Sequence, residues 1–179
     1  MVDASSPIAY GYTDNLAVWC DNGPIMNVSN VLYGRGGRRL GGDETTRPTG
    51  RGTADDPDVP QGRAGAEIPE PPRVEAWQAA PVTDEQLRNG INVIPPAARP
   101  RVVLRYADSR DLLVSGLVEN GSEIAQHPAV IDTTLDKGHV VVFSNNPIWR
   151  GETQGSYFLV FNAIMNFDSL GAGRKLDDK

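Results

Sequence analysis

From Gly34 to Pro72 the chain reads GRGGRRLGGDETTRPTGRGTADDPDVPQGRAGAEIPEPP, with only Leu40, Val59 and Ile68 as large apolar side chains. Fixing one residue's backbone costs about 1–2 kcal/mol of conformational entropy, and burial of apolar surface must offset it. A tract this poor in such surface is expected to stay a disordered, flexible insertion. Its GRGGRR opening has the composition of an RNA-binding tract, but no aromatic is interleaved and the acidic residues that follow roughly cancel its charge. The core must therefore come from either side of it, residues 1–33 and 73–170. The last stretch, 171–179 (GAGRKLDDK), is polar and expected to fray.

A chain of 179 residues suffices for one domain with a real core and not for two large ones. The net charge of -6 argues against nucleic acid as a partner, because neutralising phosphates takes a surplus of Lys and Arg. No apolar run approaches the roughly 20 residues of a membrane span. The opening MVDASSPIAYGY has neither the basic nor the apolar region of a secretion signal. Cys20 is the sole cysteine, so an intrachain disulfide and a Cys-based zinc site are both excluded. Nothing beside it in VWCDNG would activate the thiol, which reads as a small buried apolar residue.

Local patterns then place the elements. Leu16–Trp19 and Val28–Tyr33, bounded by Asp14-Asn15 and Asn22-Gly23-Pro24, predict two short strands joined by turns. Thr83 and Gln86 have capping-box spacing, so TDEQLRN should form a short helix with Gly90 just past its end. Pro95-Pro96 should stop any regular element. RVVLRY at Arg101–Tyr106 reads as a strand, and LLVSGLV is a second apolar run ended by Asn120-Gly121. AVIDTTL and HVVVFS flank Asp136-Lys137-Gly138, which predicts an antiparallel hairpin. Val140–Phe143 is apolar without alternation, as expected of a central strand covered on both faces. Thr153 or Ser156 can cap a following helix. There Tyr157, Val160, Phe161, Ile164 and Met165 share one face, widened by Phe158 and Leu159, which predicts a well-buried helix.

Chemistry is harder to find. His127 and His139 are the only histidines, and no H-x-x-E or H-E-x-x-H pattern surrounds them, so each reads as an ordinary loop or strand residue. No G-x-S-x-G elbow, dinucleotide fingerprint or P-loop occurs, and Ser115 has no recognisable base. Asp108, Asp111 and Glu119 read as solvated turn carboxylates. The best-placed polar cluster follows the predicted central strand and leads into the predicted helix. It comprises Asn145, Asn146, Trp149, Arg150 and Gln154. Such positions in α/β folds favour ligands, and free helix N–H groups favour anions. In the plainer alternative Asn145 and Asn146 make turn hydrogen bonds, Trp149 covers the core edge and Arg150 pairs with an acidic neighbour.

The run KGHVVVFSNNPIWRGETQGSYFLVFNAIM resembles the C-terminal end of bacterial proteins of the zinc carboxypeptidase superfamily, in which the peptidase domain is followed by a class I glutamine amidotransferase-like domain. The matching positions are Lys137, Gly138, Val140–Phe143, Pro147, Trp149, Arg150, Gly151 and Phe161-Asn162-Ala163. SPIAYGY at Ser6–Tyr12 and LLVSGLVENGSEIAQHPAV at Leu112–Val130 fit the same domain. The resemblance implies a truncated flavodoxin-like α/β fold: a mixed sheet flanked by helices, with a C-terminal β-hairpin and closing helix. It also implies an adjacent peptidase domain as partner and a secreted or periplasmic parent. The zinc ligands and catalytic glutamate of the family belong to that other domain, and the amidotransferase cysteine and opening strand-helix portion have no counterpart here. The expectation is a noncatalytic accessory domain without its own cofactor, zinc being held by the parent. The alternative is a module binding an anionic or sugar-like ligand at Asn145–Gln154.

Overall fold

The computed structural model describes residues 1–21, 23–31, 75–76, 78–89, 93–116, 118 and 120–174. The expected insertion at 34–72, Asn22, Gly90, Glu119 and the end of the tail at 175–179 lie outside them. The described residues of Met1–Gly37, Trp77–Arg105 and Pro128–Lys179 make one compact unit, and those of Arg38–Ala76 and Tyr106–His127 a second.

In the first unit, helix α1 spans Asp84–Asn89 and starts where the capping box predicts. The Thr83 N–H donates to Gln86 Oε1 at 2.9 Å, and the Gln86 N–H donates to Thr83 Oγ1 at 3.3 Å. Two otherwise orphaned donors are thereby satisfied reciprocally. Pro95-Pro96 opens a single 3-10 turn, Pro96–Ala98, where a missing N–H costs nothing.

Strand β1 is Arg101–Arg105, β2 is Pro128–Leu135 and β3 is Gly138–Phe143. They form a three-stranded sheet in the order β1-β2-β3. The expected hairpin is β2–β3, running in unbroken register from Leu135↔Gly138 to Val130↔Phe143 around Asp136 and Lys137. The β1–β2 ladder is antiparallel too, with irregularities on either side of Leu104. Among the described residues the sheet is therefore antiparallel throughout, where a mixed one was expected.

The central strand is β2, not β3. Residues 128–132 of β2 are all buried, whereas β3 alternates, leaving Val140 and Val142 each 41% exposed. A run of valines is compatible with either position; β3 is at the margin because no described strand pairs beyond it. On one side Ile131 packs with Met26, Val28 and Val102. The other edge of β1 is lined by the first residues, with the Asp3 N–H donating to Val103 O at 2.8 Å. The segments Leu16–Trp19 and Val28–Val31 supply side chains to this unit as irregular chain and not as strands. Cys20 is exposed, contrary to the buried position expected of it.

Helix α3, Tyr157–Met165, packs on a 3-10 turn at Pro7–Ala9. The expected burial holds at Leu159 and in part at Tyr157 and Val160, and fails on the rest of the predicted face. Leu159 is its fully buried residue, while Phe158, Phe161, Ile164 and Met165 are 48–79% exposed. Asn162 turns inward, its Nδ2 donating to Ile8 O at 3.1 Å and Tyr10 O at 2.9 Å. In a nine-residue helix that is apolar almost all round, the polar residue that satisfies the backbone carbonyls of the packed turn selects the inner face. The chain after α3 is held down as far as described, with Leu170 buried and Gly173 against Ser5. A Cβ at Gly173 would stand 2.2 Å from Ser5 O, so the stretch expected to fray is packed closely at Gly173.

Among the described residues of the second unit there is one short helix, α2, Gly121–Ile124, preceded by Asn120 in the left-handed region at φ 56°. The LLVSGLV run forms bends and irregular chain rather than a strand where described, and Val114 is 73% exposed.

Candidate functional site

The loop between β3 and α3 is shaped by residues far away in sequence. Ser144 and Asn145 are buried, and the Asn146 N–H donates to Trp19 O at 3.1 Å. Gly23 lies so close that a Cβ there would stand 1.9 Å from Ser144 O, which leaves room only for glycine. Asn146 makes the turn expected of it, its Oδ1 accepting from the Ile148 N–H at 3.2 Å. Trp149 lies parallel to Trp19, with ring centroids 6.4 Å apart and planes 6° from parallel. The Arg150 guanidinium sits 4.9 Å from the Trp149 centroid, a cation–π contact in place of the expected acidic partner. Arg150 and Thr153 both have positive φ, 42° and 44°, which marks a tight turn.

Neither predicted cap works as expected. Ser156 precedes α3 but gives it no side-chain cap; its Oγ donates instead toward Pro147 O at 2.7 Å and Thr153 O at 2.8 Å. Gln154 opens a 3-10 turn, Gln154–Ser156, and is exposed. Tyr12 Oη donates to Gly155 O, and the Gly151 N–H donates to Tyr157 Oη at 3.0 Å. Burial raises the Tyr12 phenol above its ordinary range, so it remains a donor. Asn145 is the exception in this web, since neither of its buried side-chain polar atoms has a hydrogen-bond partner. The structure thus brings Asn146, Trp149 and Arg150 together with Trp19, and sets Gln154 apart on the surface.

A second polar assembly lies in the same unit, and the sequence does not announce it. Arg101 is buried on β1 and donates through Nε to Asp3 Oδ2 at 2.8 Å, through Nη1 to Ala172 O at 2.9 Å and through Nη2 to Ser5 Oγ at 2.7 Å. Burial alone would raise the Asp3 carboxyl, but hydrogen bonds from Arg101 and Ser5 outweigh it and hold the group below its ordinary value. On β2, Asp132 is buried with its Oδ1 2.8 Å from His139 Nδ1. His139 is thus half-buried and tied to a carboxylate across the hairpin diagonal. Elsewhere Asp108 behaves as a turn residue, its Oδ1 accepting from the Arg110 N–H, and Ser115 is exposed. Among the described residues no three His, Cys, Asp or Glu side chains gather as a metal site, and no helix is long and apolar enough to cross a membrane.

The fold is of mixed α/β class: a small three-stranded antiparallel sheet with a few short helices. No family model, curated protein or solved structure matches the chain.

Proposed function

We propose that this chain is a noncatalytic accessory domain of a zinc carboxypeptidase-like protein, a trimmed relative of the class I glutamine amidotransferase fold that packs against an adjacent peptidase domain. The observation that carries this reading is the outward stripe of α3. Phe158, Phe161, Ile164 and Met165, followed by Phe167, expose 48–79% of their surface on one side of the unit. Contiguous apolar surface rimmed by polar residues is the usual mark of a protein contact. Val140 and Val142 of β3 are exposed as well. The parentage rests on the matched strand, turn and Phe161-Asn162-Ala163 run. The test is twofold. Phe161→Asp should abolish association with a co-expressed peptidase domain while leaving the chain folded. Zinc-dependent carboxypeptidase turnover by the 179-residue chain alone would overturn the proposal.

A second reading is a module that holds an anionic or sugar-like group at Asn145, Asn146, Trp149, Arg150 and Gln154. It is favoured by the buried Asn145 amide, whose two polar atoms have no partner. Trp149→Ala and Arg150→Ala separate the alternatives: loss of binding in a folded variant supports a site, and unfolding of both makes the cluster structural.

A further inference from the structure

We infer that the cleft lined by Arg99, Arg101, Arg105 and Arg174 binds a small ligand through an oxyanion, a carboxylate or a phosphate. The cleft lies in the first unit and has a volume of about 700 Å³, within the roughly 300–1,000 Å³ common to small-molecule sites. On a chain with 17 Lys and Arg against 23 Asp and Glu, four guanidiniums line one cavity, and Asp3 is the carboxylate among its described lining residues. That carboxylate is already committed to Arg101 and Ser5. Guanidinium forks match carboxylate and phosphate oxygens two at a time, which ammonium groups do not.

The four arginines do not play the same part. Arg101 donates to Asp3, Ser5, Ala172 and Gly173, so it is a positioning residue that fixes the wall and adds charge. Arg99 is steered by its Nε bond to Ile94 O at 3.3 Å. Arg174 is the incomplete one. Its Nη2 reaches Pro96 O at 3.4 Å, while its Nη1 is buried without a hydrogen-bond partner. Burial depresses the Arg174 guanidinium below its ordinary range, Asp132 pulls it back and Arg101 adds to the depression. Burial also lowers Arg105. An oxyanion in the cleft would place negative charge beside the Arg174 guanidinium and offset the crowding of like charges among the arginines that line it. This inference is independent of the α3 surface.

The experiment is calorimetric titration of the full chain at low ionic strength with inorganic phosphate and, separately, with succinate. Saturable one-site binding of either probe is expected, phosphate alone identifying a phosphoryl group and succinate alone a carboxylate. Arg174→Gln should weaken it at least about tenfold. Arg88→Gln, exposed on α1, should leave it unchanged. Phosphate or succinate, whichever binds, should also protect Arg174 from phenylglyoxal, read by peptide mass spectrometry on the unmutated chain. Absence of binding by both probes, equal weakening in the two variants, or no protection of Arg174 would each overturn the inference. Should Arg174→Gln fail to fold, the protection measurement decides.

Discussion

The orientation of α3 leads to an ordering of mutant stabilities opposite to the one its sequence invites. Leu159 is 0% exposed, so Leu159→Ala removes three buried carbons and leaves a cavity, at a cost of about 2–5 kcal/mol. Met165 is 79% exposed, so about a fifth of its side chain is buried. Full burial of a methionine contributes about 1.5–3 kcal/mol, and a fifth of that is about 0.3–0.6 kcal/mol. Alanine's better helix propensity offsets part of even this. Met165→Ala should therefore be close to neutral, and Leu159→Ala should consume a large part of the stability of a domain this size. Urea unfolding followed by circular dichroism measures both as shifts in midpoint at constant slope. A cost for Met165→Ala equal to that for Leu159→Ala would refute the inward placement of Leu159 and restore the Met165 face to the core.

Three further perturbations test the local arguments. Thr83→Ala removes one half of the reciprocal cap and should destabilise α1 by about 1 kcal/mol, seen as faster amide exchange within Asp84–Asn89 with little change in global unfolding. Asp3 is held below its ordinary value in the folded chain, so its contribution is present above the unfolded carboxyl's titration near about pH 4 and is lost as pH falls through the lower folded value. Asp3→Asn should flatten that acid limb of the stability–pH curve; an unchanged limb would separate Asp3 from acid unfolding. Gly23→Ala drives a Cβ to 1.9 Å from Ser144 O and should lower the melting temperature by several degrees while loosening the Trp19–Trp149 stack, visible as altered tryptophan fluorescence.

The sequence by itself determined the features whose causes lie within a few residues. Thr83 and Gln86 define the start of α1, the Asp136-Lys137 turn joins β2 to β3, and the run after Ser156 makes a helix. Each depends on spacing, capping or turn chemistry, which a linear reading contains. Asn146 is likewise legible as a turn residue. What faces inward was decided by tertiary structure alone. YFLVFNAIM is apolar on nearly every side, so periodicity could not select its inner face; the carbonyls of Ile8 and Tyr10, more than 150 positions away, selected Asn162 and Leu159. For the same reason four valine-rich positions could not reveal that β3 lies outside β2, because coverage depends on what packs beside a strand and not on the strand's own composition. Trp149 could be named from its place in the loop, but its partner Trp19 could not. The arginine cleft is the extreme case: Asp3, Arg99, Arg101, Arg105 and Arg174 share no motif and meet only because the first residues line β1 and the chain after α3 returns to them.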